Sequence, residues 1–113
     1  MFGFNQPKVP EIDAQDVMSA IEKKDDFVLL DVRTEGEFSK NRIEGSINIP
    51  VDQIPQTVEK ELPDKEKTTY VYCLSGSRST SAVDIMVQMG YKNVFSITSG
   101  LLAWRAKNLP LLS

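Results

Sequence analysis

The chain has 113 residues, a net charge of −3 spread over both signs, one cysteine and no histidine. That length supports a single domain with one hydrophobic core and needs no disulfide or metal to hold it. Without histidine the usual zinc sites, Cys-His dyads and Ser-His-Asp triads are excluded; no basic stripe invites nucleic acid, and no apolar run approaches the roughly 20 residues of a membrane span.

Residues 1–8 read as a flexible tail ahead of one domain over residues 9–112. The tail has no charged start followed by an apolar stretch, so it does not read as a secretory signal. A lone free thiol fits a reducing cytoplasm, which is the expected location. Phe2 and Phe4 leave open a docking patch, a dimer contact or a disordered end. Monomer is the default state.

Strand and helix signals then alternate. Residues 9–12 predict a short edge strand, and Asp13 an N-cap for a helix reaching Lys24 that buries Val17, Met18 and Ile21. Residues 27–32 are nearly all apolar between charged flanks, as in a central strand covered on both faces. Residues 34–40 predict a short helix and residues 46–49 a third strand stopped by Pro50. Residues 51–62 predict one or two short helical turns around Pro55, broken by Pro63. A fourth strand covers residues 70–73, with Tyr72 facing the packing layer. The helix after it, residues 79–89, has apolar positions at 82, 83, 86, 87 and 89 and Gly90 as its stop. A fifth strand covers residues 93–97, and Ser99 caps a last helix whose Leu101, Leu102 and Trp104 face the core. This order predicts an α/β fold: an open sheet of about five mainly parallel strands with helices on both faces.

The chemistry concentrates at Cys73. A packed structural cysteine is the plainest reading of a lone thiol ending an apolar strand. The residues that follow it, Leu74, Ser75, Gly76, Ser77 and Arg78, instead have the composition of an exposed tight turn over a helix N-terminus. Successive amides there, with the positive helix end, form an anion cradle that favours a sulfur anion. Gly76 supplies either a left-handed conformation or a plain turn. Arg78 either pairs with an oxyanion in the pocket or turns outward to a carboxylate. Asp31 and Arg33 close the second strand, and in such sheets ligands bind at the carboxyl ends of the strands. They read as a pair at the pocket rim that fixes the base of the loop, or as a surface ion pair of little energy.

Five segments, Asp31-Val-Arg-Thr-Glu-Gly-Glu-Phe38, Ile43-Glu-Gly-Ser-Ile-Asn-Ile-Pro50, Cys73-Leu-Ser-Gly-Ser-Arg-Ser79, Gly90-Tyr-Lys-Asn-Val94 and Ser99-Gly-Leu-Leu-Ala-Trp104, stand in the order of the blocks of a rhodanese homology domain. The chain resembles that family over about residues 9–112. The resemblance implies a five-stranded parallel sheet and sulfur transfer through a persulfide on Cys73, with no cofactor. It also implies a small sulfur-containing anion as donor, and a thiol or a protein cysteine as acceptor. Two departures stand out. Many relatives have His where this chain has Arg42, and thiosulfate-preferring relatives carry basic or amide side chains where this chain has Leu74 and Ser75.

Two other functions compete. The fold also resembles dual-specificity phosphatases, in which five residues separate cysteine and arginine; here four lie between Cys73 and Arg78, a cradle suited to one sulfur atom. The same pattern in phosphatases and arsenate reductases needs the wider loop. A rhodanese-like module that only binds partners or senses redox state would keep the fold without turnover.

Overall fold

In the computed structural model, which describes residues 8–113, the chain forms one sheet of five strands, all parallel, in the order β1-β5-β4-β2-β3. The strands are β1 (Glu11–Ile12), β2 (Val28–Asp31), β3 (Ile47–Asn48), β4 (Thr69–Tyr72) and β5 (Val94–Ile97). The helices are α1 (Ala14–Glu22), α2 (Glu35–Lys40), α3 (Ile54–Glu61), α4 (Ser77–Gln88) and α5 (Gly100–Ala106). Phe2, Phe4 and the tail expectation, apart from Lys8, lie outside the described residues.

The expected elements form, and their differences have local causes. β1 is shorter than residues 9–12 because Pro10 has no N–H to give the ladder, although its carbonyl still accepts from Ser96 N at 2.9 Å. α1 ends before Lys24, which turns left-handed at φ 59°. Its buried face is Ala14, Val17 and Ala20, with Met18 and Ile21 half-buried. Around Pro55 the chain makes a 3₁₀ turn, Val51–Gln53, that runs into the eight-residue α3. The proline sits in the first turn of α3, where its missing N–H costs nothing, so the helix is longer than expected. α4 begins two residues earlier than predicted because Gly76 takes φ 110° and turns the chain directly into the helix.

Two apolar layers sandwich the sheet. Leu30, Val32, Val71 and Cys73 pack with Ile54 and Val58 of α3 and Ala82, Val83 and Met86 of α4. Leu29, Tyr72 and Ile97 pack on the other face with Val17 of α1 and Leu101 and Trp104 of α5. Alternate residues of one strand therefore serve opposite layers, which is why Leu29 and Leu30 of β2, and Val71 and Tyr72 of β4, are all apolar or aromatic and buried. Leu102 does not join the core and is 53% exposed. Residues 101 and 104 share one helix face at a spacing of three, and 102 falls about 100° off it.

The register sets the site. Asp31 pairs with Tyr72, so β2 and β4 end level and the chain leaves both at the same height. From there the connections diverge, β2 to β3 on one side and β4 to β5 on the other. Adjacent strands whose connections part this way leave a crevice at their carboxyl ends.

Candidate active site

Cys73 is the first residue past β4 and is fully buried, at 0% exposure, while Leu74, Ser75 and Ser77 above it are exposed. The thiol is thus both a packed core residue and the floor of a surface loop. Gly76 N–H donates to its Sγ at 3.1 Å and Ser79 N–H at 3.4 Å. Both donors belong to the first turn of α4 or the residue before it, so the sulfur lies at the positive end of a 12-residue helix. Of the amides expected over residues 74–78, Gly76 makes this bond; the second comes from Ser79, one residue beyond the predicted set.

The far side of the loop is held by α5. Leu101 N–H donates to the Cys73 carbonyl and Leu102 N–H to the Leu74 carbonyl, each at 3.0 Å. In a trans peptide the N–H points opposite to the C=O, so anchoring these carbonyls on α5 turns the amides of Leu74 and Ser75 away from it. The approach is close enough to require Gly100: a Cβ there would overlap the Cys73 carbonyl oxygen and lie 2.8 Å from that of Leu74. Ser99, expected to cap α5 through its hydroxyl, occupies the N-cap at φ 58° without a side-chain bond. The backbone of that turn does the holding.

Arg78 grips Glu37 of α2 through two bonds, Nη1 to Oε1 at 2.7 Å and Nη2 to Oε2 at 3.1 Å. Of the two orientations open from sequence, the structure shows the one directed at a carboxylate. Glu37 also closes a capping box with Thr34 at the start of α2. The Arg78 hydrogen bond, aided by the Thr34 bonds, holds the Glu37 carboxyl down at about 2 against its ordinary 4.5.

Asp31 and Arg33 are not at the pocket rim. They are 0% and 4% exposed and pair through Arg33 Nη2 and Asp31 Oδ2 at 2.8 Å, with Arg33 Nε reaching both carboxylate oxygens at 3.1 Å. Arg33 continues to the side-chain and backbone oxygens of Asn41, just past α2, and Asn48 Nδ2 bonds the carbonyls of Asp31 and Arg33. The pair clasps β2, β3 and the end of α2 and makes no hydrogen bond to residues 74–78 among the described residues. It is also no surface pair. Both carboxylate oxygens and the guanidinium are satisfied, which is the condition for burying such charges. Beside it Tyr72, buried as expected, bonds Ile43 N and Ser46 Oγ, and burial followed by the Asp31 charge pushes its phenol up to about 12.

A cleft of about 320 Å³ opens beside the loop, between the ends of β1 and β5 and the start of α4. Ser75, Ser77, Thr80, Thr98 and Ser99 bring hydroxyls to it and Glu11 a carboxylate; none of its lining residues is Lys or Arg. Glu37, Ser79, Ser96 and Gly100 escape sequence reasoning as site residues. Glu37, Ser79 and Gly100 had a signal, their places within the blocks that carry the family resemblance; Ser96 lies outside all five.

Residues 13–107 match the family model of the rhodanese-like domain. A sulfurtransferase of Allochromatium vinosum is 31% identical over 93% of this chain and 96% of its own. A thiosulfate sulfurtransferase of Coxiella burnetii is 33% identical over 74% of this chain and 77% of its own. The crystal structure of a rhodanese-related protein from Thermoplasma volcanium superposes with a TM-score of 0.80 at 30% identity, covering 91% of this chain and 97% of that one.

Proposed function

The chain belongs to the rhodanese-like domain family, and from that premise we propose that it moves a sulfane sulfur from a donor to a thiophilic acceptor through a persulfide on Cys73. The observation that carries the reading is the convergence of Gly76 N–H and Ser79 N–H on Sγ at the head of α4. A helix N-terminus favours the thiolate, which is the nucleophile.

The Cys73 thiolate attacks the outer sulfur of the donor. The donor's S–S bond breaks and its electron pair leaves with the remainder, sulfite in the case of thiosulfate. Cys73-S-S⁻ results, its terminal sulfur carrying the charge that loop amides stabilise. An acceptor such as cyanide, a thiol or a partner's cysteine then attacks that terminal sulfur, and Cys73 leaves as thiolate. No net oxidation occurs, and the two half-reactions predict ping-pong kinetics. Because Cys73 is fully buried, the exposed loop over it must yield to admit the donor.

The donor follows from charge. The cleft has no cationic lining, and the one arginine of the loop is neutralised by Glu37. A dianion such as thiosulfate gains little there, which favours a polysulfide, a small persulfide or a protein persulfide as the physiological donor. The same pairing weighs against phosphatase chemistry, since Arg78 is not free to clamp a phosphoryl group. The free thiol fits the reducing cytoplasm; among the described residues no helix is long and apolar enough to cross a membrane.

The test is intact mass after incubation of the reduced protein with thiosulfate or polysulfide, then cyanide, beside Cys73→Ser. The expected result is a gain of about 32 Da, one sulfur atom, that cyanide removes as thiocyanate and that the variant lacks. No gain with either donor overturns the reading and leaves a binding or redox-sensing module.

A further inference from the structure

We infer that the Ser79 hydroxyl is a third donor to the Cys73 sulfur, a catalytic group, and that Ser96 is the positioning residue that aims it. The inference deepens the sulfur-transfer reading and takes from it only the identity of the nucleophile.

Ser79 Oγ lies 3.7 Å from Cys73 Sγ and 2.7 Å from Ser96 Oγ, and it donates to the Gly76 carbonyl at 3.1 Å. Ser79 and Ser96 are 0% and 1% exposed. With the thiol protonated, every proton has a place: S–H donates to Ser79 Oγ, Ser96 donates to the same oxygen, and the Ser79 proton goes to the Gly76 carbonyl.

Ionisation changes the assignment. The sulfur loses its proton to solvent and becomes an acceptor only, so the Ser79 hydroxyl turns from the Gly76 carbonyl to Sγ. That carbonyl keeps the Thr80 N–H at 3.0 Å and is not left unpaired. Ser96 continues to donate to Ser79 Oγ and polarises it toward the sulfur. A bond to an anion is shorter and stronger than its neutral counterpart, so the 3.7 Å separation contracts. The hydroxyl therefore stabilises thiolate over thiol, both when Cys73 attacks and when it leaves.

A purely packing role does not explain the pair. Two buried hydroxyls can satisfy each other, but apolar residues would fill the same site without that requirement. The charged groups around the sulfur are otherwise engaged: Arg78 on α4 with Glu37 on α2, Asp31 with Arg33 at the end of β2, and Glu11 on β1 with the Thr98 hydroxyl. None of them hydrogen-bonds to Sγ among the described residues.

The test is a pH titration of thiolate ultraviolet absorbance, taken as the difference from Cys73→Ser, together with the pH profile of iodoacetamide alkylation. Wild type, Ser79→Ala, Ser79→Thr and Ser96→Ala are compared, each checked for folding by thermal denaturation. Ser79→Ala moves the midpoint to higher pH and lowers alkylation at neutral pH about tenfold. Ser96→Ala acts in the same direction by about threefold, and Ser79→Thr, which keeps the hydroxyl, restores the profile. Folded Ser79→Ala with a wild-type profile overturns the assignment. So does a shift that a folded Ser79→Thr fails to reverse, which marks packing. If Ser79→Ala does not fold, Ser96→Ala decides: a wild-type midpoint there overturns the proposal. Neither measurement requires sulfur transfer, so failure of persulfide formation in the wild type is a separate result.

Discussion

Arg78, in the first turn of α4, is bound through both Nη atoms to both carboxylate oxygens of Glu37 in α2, 41 residues earlier. The loop after β4 is thereby tied to the helix after β2, across the crevice their diverging connections leave open. If Arg78 serves by fixing the loop, Glu37→Ala and Arg78→Ala should slow persulfide loading in the same direction. Half-exposed ion pairs contribute about 1 kcal/mol or less, which bounds the effect at about fivefold. If instead Arg78 binds the donor anion, Glu37→Ala frees it and loading speeds up. Arg78→Lys should not restore the wild-type rate, because an ammonium cannot reproduce the two-pronged bond. Loading rates by intact mass for the three variants check this.

The same pair predicts a pH dependence. Glu37 is held at about 2 in the folded protein against an ordinary 4.5. A depressed carboxylate binds its proton more readily in the unfolded chain, so its stabilisation is complete above about 4.5 and is lost as pH falls toward about 2. The stability difference between wild type and Glu37→Gln should be constant near neutrality and close over that window. Urea denaturation at a series of pH values measures it. Since both partners are 34% exposed, the difference stays small.

Gly100 and Gly45 offer a controlled comparison. Both have positive φ, 45° and 87°, so alanine is strained at either. At Gly45 a Cβ would meet nothing within 4 Å, and the cost is about 1–2 kcal/mol from backbone strain alone. At Gly100 it would strike the backbone carbonyls of Cys73 and Leu74. Gly100→Ala is expected to cost about 3 kcal/mol or more, and to lose persulfide loading because the loop itself must shift. Gly45→Ala should keep loading. Thermal denaturation and intact mass separate the two.

For the Asp31–Arg33 clasp the expected loss is in stability and not in chemistry. Asp31→Ala leaves a buried guanidinium unpaired and should cost about 3–5 kcal/mol. Replacing both residues with apolar ones of similar volume should recover most of that. Denaturation midpoints test the energies, and the pH profile of Cys73 alkylation, taken where each variant is folded, should not move.

Much of this molecule was legible in short stretches of chain. The apolar run at 27–32 announced a strand covered on both faces, and β2 indeed sends Leu29 and Leu30 to opposite layers. The spacing of apolar residues in 79–89 marked the helix behind Cys73, and Ser, Gly and Ser after that cysteine marked the turn. These properties depend on neighbours within one or two turns, where periodicity and turn chemistry govern. Family resemblance added the count of five strands and sulfur transfer as the chemistry of Cys73.

The depth of Asp31 and Arg33 is not legible in the sequence, because an acid and a base two residues apart at a strand end look the same whether that end is at a rim or buried. Leu102, expected inward, lies outward because the face of a short helix is set by where it starts. At Ser99 and Gly100 that start was decided by contact with the loop.

An alternating α/β domain with a cysteine at a strand end is written in the chain itself, since both follow from local spacing. That Arg78 holds Glu37, that α5 holds the Cys73 and Leu74 carbonyls and that Ser96 stands behind Ser79 emerges only from packing. Each of these joins residues far apart in the chain, and their distance is fixed by sheet order and helix packing together; no single segment carries it.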